Sequence, residues 1–116
     1  ESTTAERIDQ YLFMVQQDEK LSLLQMILQR RHQVPGDFER ILIFTRTKHG
    51  ADRVVKKLSQ AGIESNAIHG NKSQPQRQRA LDEFRKARVP ILIATDVAAR
   101  GIDIPGVSHV INYELP

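Results

Sequence analysis

Two short stretches, Ile41-Leu42-Ile43-Phe44 and Ile91-Leu92-Ile93-Ala94, contain no polar side chain at all. An alternating strand can leave one face in water, but an uninterrupted apolar run must be covered on both, which is the pattern of parallel strands flanked by helices. The residues downstream of each run agree. Ala51, Val54, Val55, Leu58 and Ala61 form the i, i+3, i+4, i+7 stripe of a helix, which Gly62 stops. Ser65 to His69 predicts a further strand, and Ser73 with Gln76 makes a capping-box pair, Pro75 being tolerated in the first turn. Ala80, Leu81 and Phe84 supply the buried face of that helix. Val110 to Tyr113 reads as the last strand.

Upstream, Glu1 to Arg7 is a polar lead-in and Ile8 to Val15 reads as a strand. Asp18 offers an N-cap for a helix of about four turns, with Leu21, Leu24, Ile27 and Leu28 on one face, broken at Gln33-Val34-Pro35-Gly36-Asp37. The alternation predicts one α/β domain over 1–116 with a mainly parallel sheet and right-handed crossovers.

Composition excludes several functions. With 116 residues, 0 cysteines and a net charge of +3, the chain has no disulfide framework, thiolate metal site or cysteine nucleophile. His32, His49, His69 and His109 lack metal-ligand spacing, so no metal site is expected. No apolar run approaches the ~18 residues of a membrane span, and no secretory pattern opens the chain, so an intracellular chain is expected. Beginning at glutamate, the chain reads as a piece of something larger.

In a parallel α/β sheet, ligands bind beyond the carboxyl ends of the strands. Three turns leave those ends: Thr45 to His49, His69 to Ser73, and Thr95 to Asp103. They carry Arg46, Lys48, Lys72 and Arg100 against Asp96 and Asp103, together with hydroxyls and the glycines Gly70 and Gly101. Cations, hydroxyls and accessible amides at one edge suit phosphate oxygens. Tyr11, Phe13, Phe38, Phe44, Phe84 and Tyr113 all lie outside these turns. Base-stacking platforms are therefore missing, and the edge should hold a sugar–phosphate backbone without reading its sequence. No G-x-x-x-x-G-K-[ST] phosphate loop occurs, so the residues describe half of a site.

Each of these residues also has a purely structural reading. Thr45 or Thr47 can cap the following helix, Ser73 reads first as a cap, and Asp96 as a brace for its turn. Gly70 could merely end a strand, Arg77 could be a solvated cation, and His69 reads as a packed strand-end histidine. Lys56-Lys57 is the wet face of its helix, and the Asn71-Lys72-Ser73 sequon is a chance match.

Three blocks carry a family resemblance: I-L-I-F-T-R-T-K from Ile41, H-G-N-K-S-Q-P-Q-R-Q-R-A-L-D-E-F from His69, and I-L-I-A-T-D-V-A-A-R-G-I-D-I-P-G-V from Ile91. In this order they resemble motifs IV, IVa and V of the second, RecA-like domain of DEAD-box RNA helicases. The closing V-I-N-Y-E-L-P fits as well, and F-T-R-T-K-H-G-A and H-G-N-K-S-Q are most similar to the bacterial RhlE-type branch. The resemblance implies a P-loop NTPase-like fold without the P-loop, paired with an N-terminal RecA-like domain, RNA and ATP lying across the cleft between them. Mg²⁺ would be held mainly by that N-terminal domain. Carried over by position, Thr45, Arg46, Gly70, Gln74, Arg77, Thr95 and Arg100 would lie along the RNA or support its site, and Gly101 and Asp103 would face ATP. The family's motif VI would come shortly after Pro116, with the arginines that assist phosphoryl transfer, an effect of about 10³–10⁵ in rate. The domain is accordingly expected to be incomplete at its C-terminus, inactive alone, and prone to self-association through an uncovered sheet. Glu114 stands where many members have aspartate. The rival readings are a DNA helicase or translocase of the same superfamily, a non-catalytic RNA-binding module, and an unrelated α/β domain.

Overall fold

A computed structural model describes residues 19–33, 38–99, 104 and 106–114. Its elements are α1 (Lys20–Gln29), β1 (Ile41–Thr45), α2 (Lys48–Gln60), β2 (Asn66–Ile68), α3 (Gln74–Arg85), β3 (Ile91–Thr95), α4 (Asp96–Ala99) and β4 (His109–Asn112). The strand expected from Ile8, the cap at Asp18 and the break at Val34 to Asp37 lie outside the described residues.

The four strands form one sheet in the order β2-β3-β1-β4, every pair parallel. β1 and β3 sit in the centre in register, Ile41 beside Ile91 and Thr45 beside Thr95. Because successive strand side chains point to opposite faces, each apolar run feeds two cores. Ile41, Ile43, Ile91 and Ile93 pack with Leu24 and Leu28 of α1 and with Ala51, Val54 and Leu58 of α2. Leu42, Leu92 and Ala94 pack with Ala80 and Phe84 of α3 and with Ala98 of α4. This double coverage is why neither run contains a polar position.

Helix ends obey local chemistry. α2 closes with Gly62 at φ +80, its N–H on Ser59 O, while Ile63 N–H reaches back to Leu58 O at 2.8 Å. That is a Schellman turn, with Ile63 tucked into the core. α3 ends in the same way without a glycine: Ala87, at φ 57, donates to Phe84 O and Arg88 to Glu83 O. At this same border, where the strands begin, Ser108 ties β4 to β1. Its Oγ accepts the N–H groups of Glu39 and Arg40, both at 3.0 Å, and contacts Arg40 O. Phe38 stacks on His109 with ring centroids 3.5 Å apart.

Several boundaries differ from the sequence expectation. α1 has ten residues, about three turns rather than four, and its N-cap position is Glu19, whose side chain makes no capping bond. The face that buries Leu24 and Leu28 continues through Arg31 and His32, which offer nothing apolar to bury, and Arg31 instead turns its guanidinium onto Leu28 O. β2 is confined to Asn66–Ile68, and β4 begins one residue early because His109 pairs with Ile41 and stacks on Phe38.

Candidate nucleic-acid interface

Parallel pairing puts the carboxyl ends of β1, β2 and β3 on one border of the sheet, with Thr45 level with Thr95 and Ile68 level with Ala94. The turns that leave these ends therefore start from one rim, as do α2, α3 and α4.

Hydroxyls organise each helix start. Thr47 Oγ1 accepts Gly50 N–H at 3.0 Å and caps α2. Ser73 Oγ accepts Gln76 N–H while Gln76 Oε1 accepts Ser73 N–H at 2.8 Å, the reciprocal box expected for α3. Thr95 Oγ1 accepts Ala98 N–H at 3.3 Å. Thr45 is buried and its hydroxyl donates to Thr47 O, so it supports the first turn from beneath. The capping role weighed for Thr45 or Thr47 belongs to Thr47.

Arg46 is exposed at the lip, its backbone N–H held by Glu114 Oε1 at 3.2 Å. Lys48 Nζ crosses to Asn71 Oδ1 at 3.3 Å, joining the first turn to the second. Gly70 is exposed, has no left-handed φ, and a Cβ there would meet nothing within 4 Å. Nothing in the fold itself requires a glycine at that position. Gln74 is the exposed first residue of α3. Arg77 is half-buried one turn on, with Nη2 donating to His69 O at 3.3 Å and Nε buried without a hydrogen-bond partner among the described residues. Asp96 is exposed at the start of α4. Arg100, Gly101 and Asp103 lie outside the described residues.

His69 is 2 % exposed, packed at the strand end as its sequence context predicts. Its partner is not legible in the sequence: Nε2 lies 2.8 Å from Asp52 Oδ1 on α2, and the same oxygen is 3.4 Å from Lys72 Nζ. Burial pushes the Asp52 carboxyl up, but its hydrogen bond to and electrostatic interaction with His69, and after them the Lys72 ammonium, outweigh it and leave the carboxyl below its usual range. The only sequence signal for Asp52 is that it borders the apolar stripe of α2 next to Ala51. Glu114 likewise stands out in the sequence only as a variant of aspartate.

Among the described residues, no helix is long and apolar enough to cross a membrane, and no cluster of His, Asp or Glu could hold a metal ion. The model of the helicase conserved C-terminal domain family matches residues 19–116, which include all three turns. The chain belongs to this family. Its relatives are DEAD-box proteins. This helicase C-terminal domain is 48% identical over 109 residues to DEAD-box ATP-dependent RNA helicase 21 of Oryza sativa subsp. japonica, a match over 94% of this chain and 14% of that protein. E. coli DEAD-box protein SrmB, in a crystal structure with the regulator of ribonuclease activity A, superposes with a TM-score of 0.74 at 37% identity, over 85% of this chain and 55% of that one. S. cerevisiae Dbp5 bound to RNA and ADP BeF3 superposes with a TM-score of 0.73 at 37% identity, over 85% of this chain and 24% of that one. The helicase C-terminal domain thus spans a minor part of the rice relative and about half of the SrmB chain.

Proposed function

We propose that this domain is the second RecA-like half of an ATP-dependent RNA helicase and grips the phosphate backbone of RNA along the shared rim. The convergence of three polar turns at one border carries the reading. Arg46, Lys48, Lys72 and Arg77 stand on or behind that border, and no Phe, Tyr or Trp lies in the turns to read bases. Dbp5, its structural neighbour, has been captured with RNA and an ADP complex. Gln74 and Gly70 would line the RNA path, with Thr45, Thr95 and Arg77 supporting it from inside. Arg100 would join the RNA side, and Gly101 and Asp103 would face the ATP ribose across the cleft from an N-terminal RecA-like domain, which would hold Mg²⁺. The segments F-T-R-T-K-H-G-A and H-G-N-K-S-Q support placement in the RhlE-type branch, working in the cytoplasm.

In this mechanism the domain contributes position and charge. Backbone contacts made without base recognition depend on released counterions, so affinity falls steeply with salt and little with sequence. The isolated domain would neither hydrolyse ATP nor unwind RNA. β4 pairs only with β1 among the described residues and leaves Val110 53% exposed, which supports association of isolated copies along that edge. The test compares oligonucleotide affinity for RNA and DNA of matched sequence, since the 2′-hydroxyl alone separates the two backbones. RNA preference in the protein joined to its N-terminal half supports the proposal. Equal or better DNA binding favours a DNA translocase, and ATP turnover by the isolated domain contradicts the division of labour.

A further inference from the structure

We propose that Asp52 and His69 form a positioning pair that fixes the turn between β2 and α3, and with it the rim's grip on a phosphate backbone. The second half of that statement rests on the function proposed above.

Hydrogen-bond directions determine the state of the ring. The backbone nitrogen of Asn71 lies 3.1 Å from His69 Nδ1 and can only donate, so Nδ1 is the acceptor. The proton therefore sits on Nε2 and is donated to Asp52 Oδ1 at 2.8 Å. One neutral tautomer satisfies both contacts. The other sets N–H against N–H at Asn71 and a lone pair against the carboxylate, and the doubly protonated ring repeats the first conflict. The carbonyl of His69 also accepts Lys72 N–H at 3.0 Å and the Arg77 guanidinium. A ring almost wholly removed from solvent thus organises a turn that is itself exposed at Gly70 and Asn71. α2 holds this turn at three points: Asp52 to His69, Asp52 to Lys72, and Lys48 to Asn71.

Charge alone argues against Asp52. An acid half-exposed beside Lys72 and near Lys48 repels a polyanion, so its removal should tighten phosphate binding. Positioning predicts the reverse for any variant that also loses the acceptor for Nε2–H.

Asp52→Asn and Asp52→Ala remove the same charge, but only asparagine keeps an acceptor oxygen. The full chain and both variants are titrated with single-stranded oligouridylate by fluorescence anisotropy at several salt concentrations. His69 ring nitrogen shifts and Asn71 amide exchange are recorded by NMR without RNA. We expect D52N to bind at least as tightly as wild type and to keep the Nε2–H tautomer. D52A should bind about tenfold more weakly, with mixed tautomers and about tenfold faster Asn71 exchange. Equal affinity of D52A and D52N, or an unchanged tautomer and Asn71 protection in D52A, overturns the proposal. If wild type itself binds no RNA in a salt-dependent way, the functional reading fails and the link from the pair to RNA grip falls with it. The tautomer and exchange data then decide whether the pair fixes the turn.

Discussion

The Glu114 carboxylate, at the end of β4, receives the backbone N–H of Arg46, at the end of β1, at 3.2 Å. The same oxygen lies 3.0 Å from where a Cβ on Gly50 would stand, so it sits directly over the first turn of α2. A negative group there also complements the amino end of the helix. Two strand ends and a helix start are joined through one side chain.

Removing that acceptor should be measurable. Glu114→Ala is expected to lower unfolding stability by about 1 kcal/mol, whereas Glu114→Gln, whose amide oxygen can still accept, should retain most of it. Urea denaturation of the two variants checks this, and equal losses would show that the hydrogen bond contributes little.

Ala87 offers a test in the opposite direction. Its φ of 57 places an L-residue with a Cβ in the left-handed region, at a cost of about 1–2 kcal/mol that glycine avoids. Glycine loses part of this advantage through its freer unfolded chain. Ala87→Gly should therefore stabilise the domain by up to about 1 kcal/mol in the same denaturation measurement.

The capping box of α3 makes a third prediction. Ser73→Ala should cost about 1 kcal/mol, and adding Gln76→Ala should cost less than the sum of the two single changes, because each side chain bonds the other's backbone. A double-mutant cycle reads the coupling, which vanishes if the two bonds are independent.

Asp52 ties stability to pH. Its carboxyl is held below the ordinary value of 3.8, so the native state favours the charged form. The stability it contributes is fully present above that value and is lost as pH falls through the lower, folded-state pKa. Between about pH 4 and pH 2, wild type should therefore lose more stability than Asp52→Asn, and parallel acid titrations by circular dichroism would reveal identical curves if the pair were absent.

For the rim itself, Arg46→Ala should weaken RNA binding similarly for all sequences and reduce the slope of log affinity against log salt by about 1. Sequence-dependent losses would mean that Arg46 reads bases.

The strands β1 and β3 and the ends of α2 and α3 were legible because burial on two faces leaves a chemical imprint on every residue of β1 and β3, and because Ser73, Gln76 and Gly62 act through neighbours close in sequence. The shared rim is a product of parallel pairing. Asp52 with His69 and Arg46 with Glu114 were not legible. Each joins residues far apart in the chain, and no periodicity records which exposed acid will meet which strand end. The role of Thr47 against Thr45 was also open, since either hydroxyl precedes the helix and only the backbone direction decides which one turns inward.

The strand order has a consequence for biosynthesis. Within this domain the inner strand β1 is made well before both of its neighbours, β3 and β4. A nascent polypeptide emerging at about 5–20 residues per second must shelter Ile41 to Phe44 for seconds before Ile91 and His109 can dock beside them. Such long-range pairing slows folding and exposes an adhesive segment on the ribosome, so production of this domain should depend strongly on chaperones.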